Sequence, residues 1–200
     1  FLTFLVQGSS FLNPRAYAIL HRRHHKYSDT EKDPHSPEYS KNIIMLNVNT
    51  VKHYESVRRD KKDYSKYDYN VPRWESLEKF SDHWITRVFF IAFYTLVYVT
   101  YSTSTWQYML LPIHFVMGPL HGSIVNWCGH RYGYVNHKKT NDKSKNTLPF
   151  DFLMMGELFQ NNHHWKPKSI NFSSRWFEID PGFLFTKILN KINMIRINNG

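Results

Sequence analysis

From Val88 to His130 the chain runs 43 residues without one Asp, Glu, Lys or Arg. A bilayer crossing takes roughly 20 mainly apolar residues, so this stretch has the length of two crossings joined by a tight turn. It predicts a helical hairpin with legs at about Ile85 to Tyr101 and Trp106 to Asn126, and with the uncharged Ser102, Thr103, Ser104 and Thr105 between them. Trp84, Tyr101 and Trp106 stand at the leg ends, where interfacial aromatics concentrate. A buried helix pair in a soluble protein is the alternative, and the length without charge argues against it.

The charge sits outside that stretch. Lys and Arg number 26 against 16 Asp and Glu, a formal net charge of +10, which by itself suggests nucleic acid or an anionic membrane. Of the cations, 14 lie between His21 and Arg87, 11 follow the hairpin and none falls in its turn. Positive charge accumulates on cytoplasmic flanks. Both flanks, about residues 13–84 and 127–200, are therefore expected on the cytoplasmic side of a multi-pass integral membrane protein. That bias accounts for the net charge, and nucleic acid is not expected as a partner. The single cysteine, Cys128, excludes an internal disulfide framework and fits a reducing compartment.

Phe1 to Leu12 is apolar and lacks a basic leading region, unlike an intact secretory signal. It reads as the end of an upstream membrane segment or as a short interfacial segment. Residues 29–84 are polar, broken by Pro34, Pro37 and Pro72, and read as helices and loops outside the bilayer. The basic run Arg58, Arg59, Lys61 and Lys62 reads first as a solvated face and second as an attraction for an anionic headgroup or acidic electron carrier. Near the carboxyl end, Phe183, Leu184, Ile188, Leu189, Ile192 and Ile195 recur at helical spacing among Lys187, Lys191 and Arg196. Such a helix fits equally a membrane surface or a cover for the domain's own core.

The twelve histidines are clustered. His21, His24 and His25 form H-x-x-H-H, which on a helix puts three imidazoles on one face. Gln160, Asn161, Asn162, His163 and His164 repeat the outline with Gln in the leading place, and Asn126 and His130 are spaced i, i+4 where the second leg ends. A hairpin returns all three groups to one side of the bilayer. Imidazole suits iron, zinc and copper, and one cysteine cannot build a zinc finger or an iron–sulfur cluster. H-E-x-x-H and G-x-S-x-G are both absent, so neither a helical zinc protease nor a nucleophile elbow is supported. Six histidines exceed what one tetrahedral metal uses, and two metals are the economical inference.

With their neighbours these motifs resemble the membrane fatty acid desaturases, and within them the acyl-CoA delta-9 (stearoyl-CoA type) branch in a bacterial-like form. The resemblance is carried by H-x-x-H-H followed by Asp33, Pro34 and His35, by the run from Asn126 through Trp127, Cys128, Gly129, His130, Arg131 and Tyr132 to Gly133, and by Gly156 and Glu157 leading to Q-N-N-H-H. It extends from about Leu20 to Pro181.

The resemblance implies an all-α integral membrane bundle: a transmembrane hairpin at about 85–126 and a cytoplasmic helical cap holding a di-iron site, all one desaturase domain over 1–200. It implies His21, His24, His25, His130, His163 and His164 as iron ligands, with Asn126 reaching iron through water. The family's first box, H-x-x-x-x-H, does not precede His21, so the chain reads as lacking its N-terminal part. Gln160 stands where the family has a histidine, and it can ligate through its carbonyl oxygen or hold a water. Asp33, Glu157 and Asp151 are the nearest carboxylates for orienting the imidazoles.

The implied chemistry uses two iron ions (Fe2+) and O2, with two electrons from a ferredoxin or cytochrome b5 type carrier, to place a cis double bond in a saturated fatty acyl chain. The substrate would be an acyl-CoA or an acyl-lipid in an apolar tunnel, among membrane lipid. Hydroxylation on the same scaffold and a non-catalytic metal- or lipid-binding membrane fragment are the other readings. His53, His83 and His137 are expected at the surface or at interfaces. His114 and His121, seven apart on one face of the second leg, are expected as bundle contacts ahead of an approach to the substrate region, His35 in local hydrogen bonding or in support of the ligands, and Cys128 in packing.

Overall fold

The computed structural model describes residues 2–59 and 64–197, which carry nine α-helices and no strand among the described residues. They are α1 (Leu2–Gln7), α2 (Pro14–Tyr27), α3 (Ile43–Arg58), α4 (Glu75–Asp82), α5 (Trp84–Tyr101), α6 (Leu111–Phe115), α7 (Met117–Arg131), α8 (Gln160–Trp165) and α9 (Pro181–Lys191). The chain divides into two compact units, residues 1–23 with 47–122 and residues 24–46 with 123–200. Lys61 and Lys62 lie outside the described residues.

In the first unit α5 matches the expected first leg to within a residue. Its 18 residues are long and apolar enough to cross a membrane, and only 11% of them are buried. Phe89, Phe93, Leu96 and Val99 face outward, while Phe90 turns inward against the Phe4 ring at 5.3 Å. His83 caps the helix by accepting from the Ile85 N–H. Arg87 fixes its base by donating to the carbonyls of Ser9 and Phe11 and to Asp82. Arg58 and Arg59 are paired with Glu55, and Arg58 also with Asp82, within their own unit.

The second leg departs from expectation. Instead of one straight helix over Trp106–Asn126, a 3-10 turn over Thr105–Leu110 leads into α6, and this arm meets α7 at 79°. Pro112 lies in the first turn of α6 and Pro119 in that of α7, and neither has an N–H to carry a helix through. Val116, at φ −124° and ψ 22°, closes α6. The groups freed at the break are met by hydroxyls: Ser9 Oγ donates to the Phe115 carbonyl, and the Gly118 N–H donates to Ser10 Oγ. As a result His114 on α6 and His121 on α7 do not share a helix face. His114 instead meets the Tyr98 hydroxyl at 3.1 Å.

The second unit is loop-rich and polar inside. Isolated bridges join Tyr134 to Asn146, Asn146 to Phe159 and Phe150 to Ile179. Gly133 makes the first possible: at φ +121° it brings the backbone so near the Asn146 carbonyl that a Cβ would sit 2.0 Å from that oxygen.

Candidate metal centre

Helix α8 carries His163 and His164 on six residues, too short to be stable alone. Its hold comes from Asn161 and Asn162, both buried. Asn161 Oδ1 accepts the N–H groups of Asn136 and His137 at 2.9 and 2.8 Å. Asn162 Oδ1 accepts from Asn136 and Asn146, while its Nδ2 donates to the Phe172 carbonyl and to Glu178 Oε2. Glu178 also accepts from the Tyr134 hydroxyl and the N–H groups of Ser174 and Arg175. Burial pushes its carboxyl up, but these donors outweigh it and keep the group below the usual range. Every polar atom of the two asparagine side chains is therefore used in holding α8.

Against α8 stand the last turn of α2, with His24 and His25, and the end of α7, with His130. The Nε2 atoms of His24 and His164 are 3.2 Å apart, and those of His25 and His163 are 2.9 Å apart. His24, His130 and His164 each offer a ring nitrogen, all within 4.8 Å of one another. His21 lies one turn before His25 on the same face of α2, its ring stacked on Tyr17. Asn126 lies one turn before His130 on α7. Gln160 is buried, donates Nε2 to the Glu157 carbonyl at 2.7 Å, and packs its side chain over Gly129, where a Cβ would sit 2.3 Å from Gln160 Cγ.

Three of the imidazoles are held from behind by carboxylates. His24 Nδ1 meets Asp33 at 2.9 Å, His130 Nδ1 meets Asp29 at 2.9 Å, and His164 Nδ1 meets Asp142 at 2.6 Å. An ionised carboxylate only accepts, so beside Asp29 and Asp142, whose carboxyls are held below the usual range, the Nδ1 atoms of His130 and His164 donate their protons and their Nε2 atoms are left as bare lone pairs. A cation among those lone pairs would satisfy them. His130 Nε2 is buried without a hydrogen-bond partner among the described residues. Burial pulls the His164 pKa down, which keeps that imidazole in the neutral form a metal needs. This donor set, three converging imidazole nitrogens each backed by a carboxylate, fits a borderline divalent metal such as iron or zinc.

The carboxylates are partly those expected. Asp33 also accepts the N–H groups of Asp29 and His35, and the His35 ring lies tilted against that of His24, centroids 4.6 Å apart. Burial pushes the Asp33 carboxyl up to about 7 against those hydrogen bonds. Asp151 does not orient an imidazole: it accepts the N–H groups of Met154 and Leu158. Asp29 and Asp142 were missed. Asp29 sits at φ +59°, a costly conformation for a non-glycine residue, and accepts from the Lys143 N–H as well as His130. Burial raises Asp142, yet His164 and both donors of Ser144 hold it well below the usual carboxylate range.

Asp142→Asn is expected to weaken metal affinity about 10- to 100-fold while the protein stays folded, read by chelator competition on the metal-loaded protein. Glu157 gives a pH signature. Burial, and then the charges of Asp180 and Asp151, push its carboxyl from 4.5 to about 7. The folded state thus binds the extra proton, and stability falls as pH rises from about 4.5 through about 7. Glu157→Gln is expected to flatten that fall and to stabilise the metal-free protein near pH 8 by about 1–3 kcal/mol, measured by thermal unfolding at several pH values.

The fold and site define a helical protein with a histidine-rich candidate metal centre and one or two candidate membrane spans. Residues 1–177 match the fatty acid desaturase family model, and the chain belongs to that family. It is 26% identical over 97% of its length to an sn-1 stearoyl-lipid 9-desaturase of Synechocystis sp., covering 57% of that protein. It is 30% identical over 79% of its length to an acyl-CoA Delta(11) desaturase of Choristoneura rosaceana, covering 48%. A hex-5-enoyl-[acyl-carrier protein] acetylenase of Moorena producens is 24% identical over 90% of the chain, with 59% covered. The chain thus spans about half the length of the curated relatives it matches.

Proposed function

We propose that the whole protein is an integral membrane di-iron desaturase that removes two hydrogens from a saturated fatty acyl chain to leave a cis double bond, with delta-9 the expected position. The observation that carries this is the convergence of one ring nitrogen each from His24, His130 and His164, each ring met from behind by an aspartate. When bound, two irons with O2 would supply the oxidising power that breaks unactivated C–H bonds, which no side chain supplies.

The residues of the chain hold and orient. His21, His24, His25, His130, His163 and His164 are the ligands proposed, with Asn126 acting through water and Gln160 a candidate whose Oε1 is left over once Nε2 serves the Glu157 carbonyl. Asp29, Asp33 and Asp142 keep three imidazoles in one tautomer. In this reading α5 and the bent α6–α7 pair form the membrane part at about 85–126, and residues 13–84 and 127–200 lie on the cytoplasmic side. An acidic one-electron carrier of ferredoxin or cytochrome b5 type is supported by Lys138, Lys139, Lys166 and Lys168. These are exposed, have no ion pair among the described residues, and flank the His137–Trp165 ring stack beside His164. The acyl carrier is open, because the three relatives above are named for a lipid, coenzyme A and a carrier protein.

The test is expression of the full-length protein with mass spectrometry of cellular fatty acids. Loss of two hydrogens at one chain position supports the proposal. Gain of one oxygen would make the protein a hydroxylase, and unchanged lipids from an iron-loaded protein would overturn enzymatic function on acyl chains.

A further inference from the structure

The second unit has an apolar face that its own core leaves uncovered, built largely at and beyond the end of the family match. Helix α9 begins at Pro181 behind Asp180, which accepts the Phe183 N–H. Leu184, Ile188 and Ile192 recur at four-residue spacing and, with Phe185, are all exposed. The alternative of a core cover is therefore not what α9 does. Lys187 and Lys191 border this arc, Arg196 follows it, and no Asp or Glu occurs from 181 to 197.

Two neighbouring loops project large side chains beside it. Leu153 is 86% exposed and Trp176 is 95% exposed. Their loops are tied to the start of α9, because the Gly182 N–H donates to the Met155 carbonyl and the Ile179 N–H to that of Pro149. An apolar helical arc edged by lysines, with an indole and a leucine at protruding tips, has the chemistry of an acyl–headgroup boundary. A protein groove would ask for no such one-sided cationic border, whereas an anionic leaflet does.

We propose that this face is an in-plane membrane anchor. Helix α9 lies along the surface of an anionic leaflet with Leu184, Phe185 and Ile188 at the acyl boundary, Lys187 and Lys191 reach the headgroups, and Leu153 and Trp176 enter beside them. This goes beyond the desaturase reading and needs no catalysis to be tested.

The experiment places a nitroxide at Leu153→Cys, Ile188→Cys and, as an aqueous control, Lys138→Cys, each in a full-length protein carrying Cys128→Ser and reconstituted in phosphatidylglycerol–phosphatidylcholine nanodiscs. Collisions with O2 are expected to exceed those with a soluble nickel chelate at Leu153 and Ile188, and the order is expected to reverse at Lys138. Nickel access at both test sites would put the face in water and overturn the proposal. Exclusion of both reagents would show a protein cover, a second copy or another segment, and would overturn it as well. Pure phosphatidylcholine discs are expected to lower the O2-to-nickel ratio at Ile188, and an unchanged ratio removes the anionic lipid. Should a labelled variant not fold, brominated lipid is expected to quench less emission from Trp176→Phe than from the parent protein, and equal quenching counts against the anchor.

Discussion

Replacing His164 by alanine in the full-length protein is expected to remove metal and unsaturated product together. His164 is central among the clustered histidines: its Nε2 is 3.2 Å from that of His24, and its ring centroid is 4.5 Å from that of His25. Alanine also strands Asp142, whose charge is then buried without its imidazole. Iron per chain should fall by at least one in elemental analysis, and product should drop below detection in fatty acid profiles. His137→Ala is the matched control for iron content alone, since that ring stacks on Trp165 and lies outside the proposed ligand set. Full iron and normal product from His164→Ala would remove this residue from the ligands.

Gly133→Ala is expected to destabilise the second unit by about 3 kcal/mol or more. Two independent obstacles add there: φ at +121° is disfavoured for any residue with a Cβ, and that Cβ would be pressed against the Asn146 carbonyl. The neighbour cannot retreat, because Asn146 and Tyr134 exchange backbone hydrogen bonds of 2.8 and 3.0 Å and Asn146 Nδ2 is committed to Asn162. Yield of folded protein in detergent and loss of thermal stability are the measurements. Gly129→Ala tests close approach instead of backbone strain, as it meets only the Gln160 side chain.

Much of the site was legible in the sequence, because helix spacing is local information. H-x-x-H-H and the i, i+4 pair of Asn126 and His130 foretold which side chains share a face, and the charge-free run foretold α5. The second leg occupies the expected stretch but is broken, for a physical reason. A run without charge measures affinity for lipid, whereas Pro112 and Pro119 remove the N–H groups a continuous helix requires. The orienting carboxylates were half legible. Asp33 sits beside a recognisable Pro34 and His35, but Asp29 and Asp142 lie in Lys-rich loops that look solvated, and only the fold brings them to His130 and His164. Asp151 drew attention by its nearness to the third motif in sequence, and its oxygens serve the backbone.

The strap around α8 gives the chemistry a remote dependence. Part of the hold on the two terminal imidazoles runs through Asn162 to Glu178, which lies fourteen positions past His164 and outside the proposed ligand set. A lesion at that single carboxylate is expected to loosen the short coil of 160–165 and to lower whatever metal affinity the centre has, with all twelve histidines still in the chain.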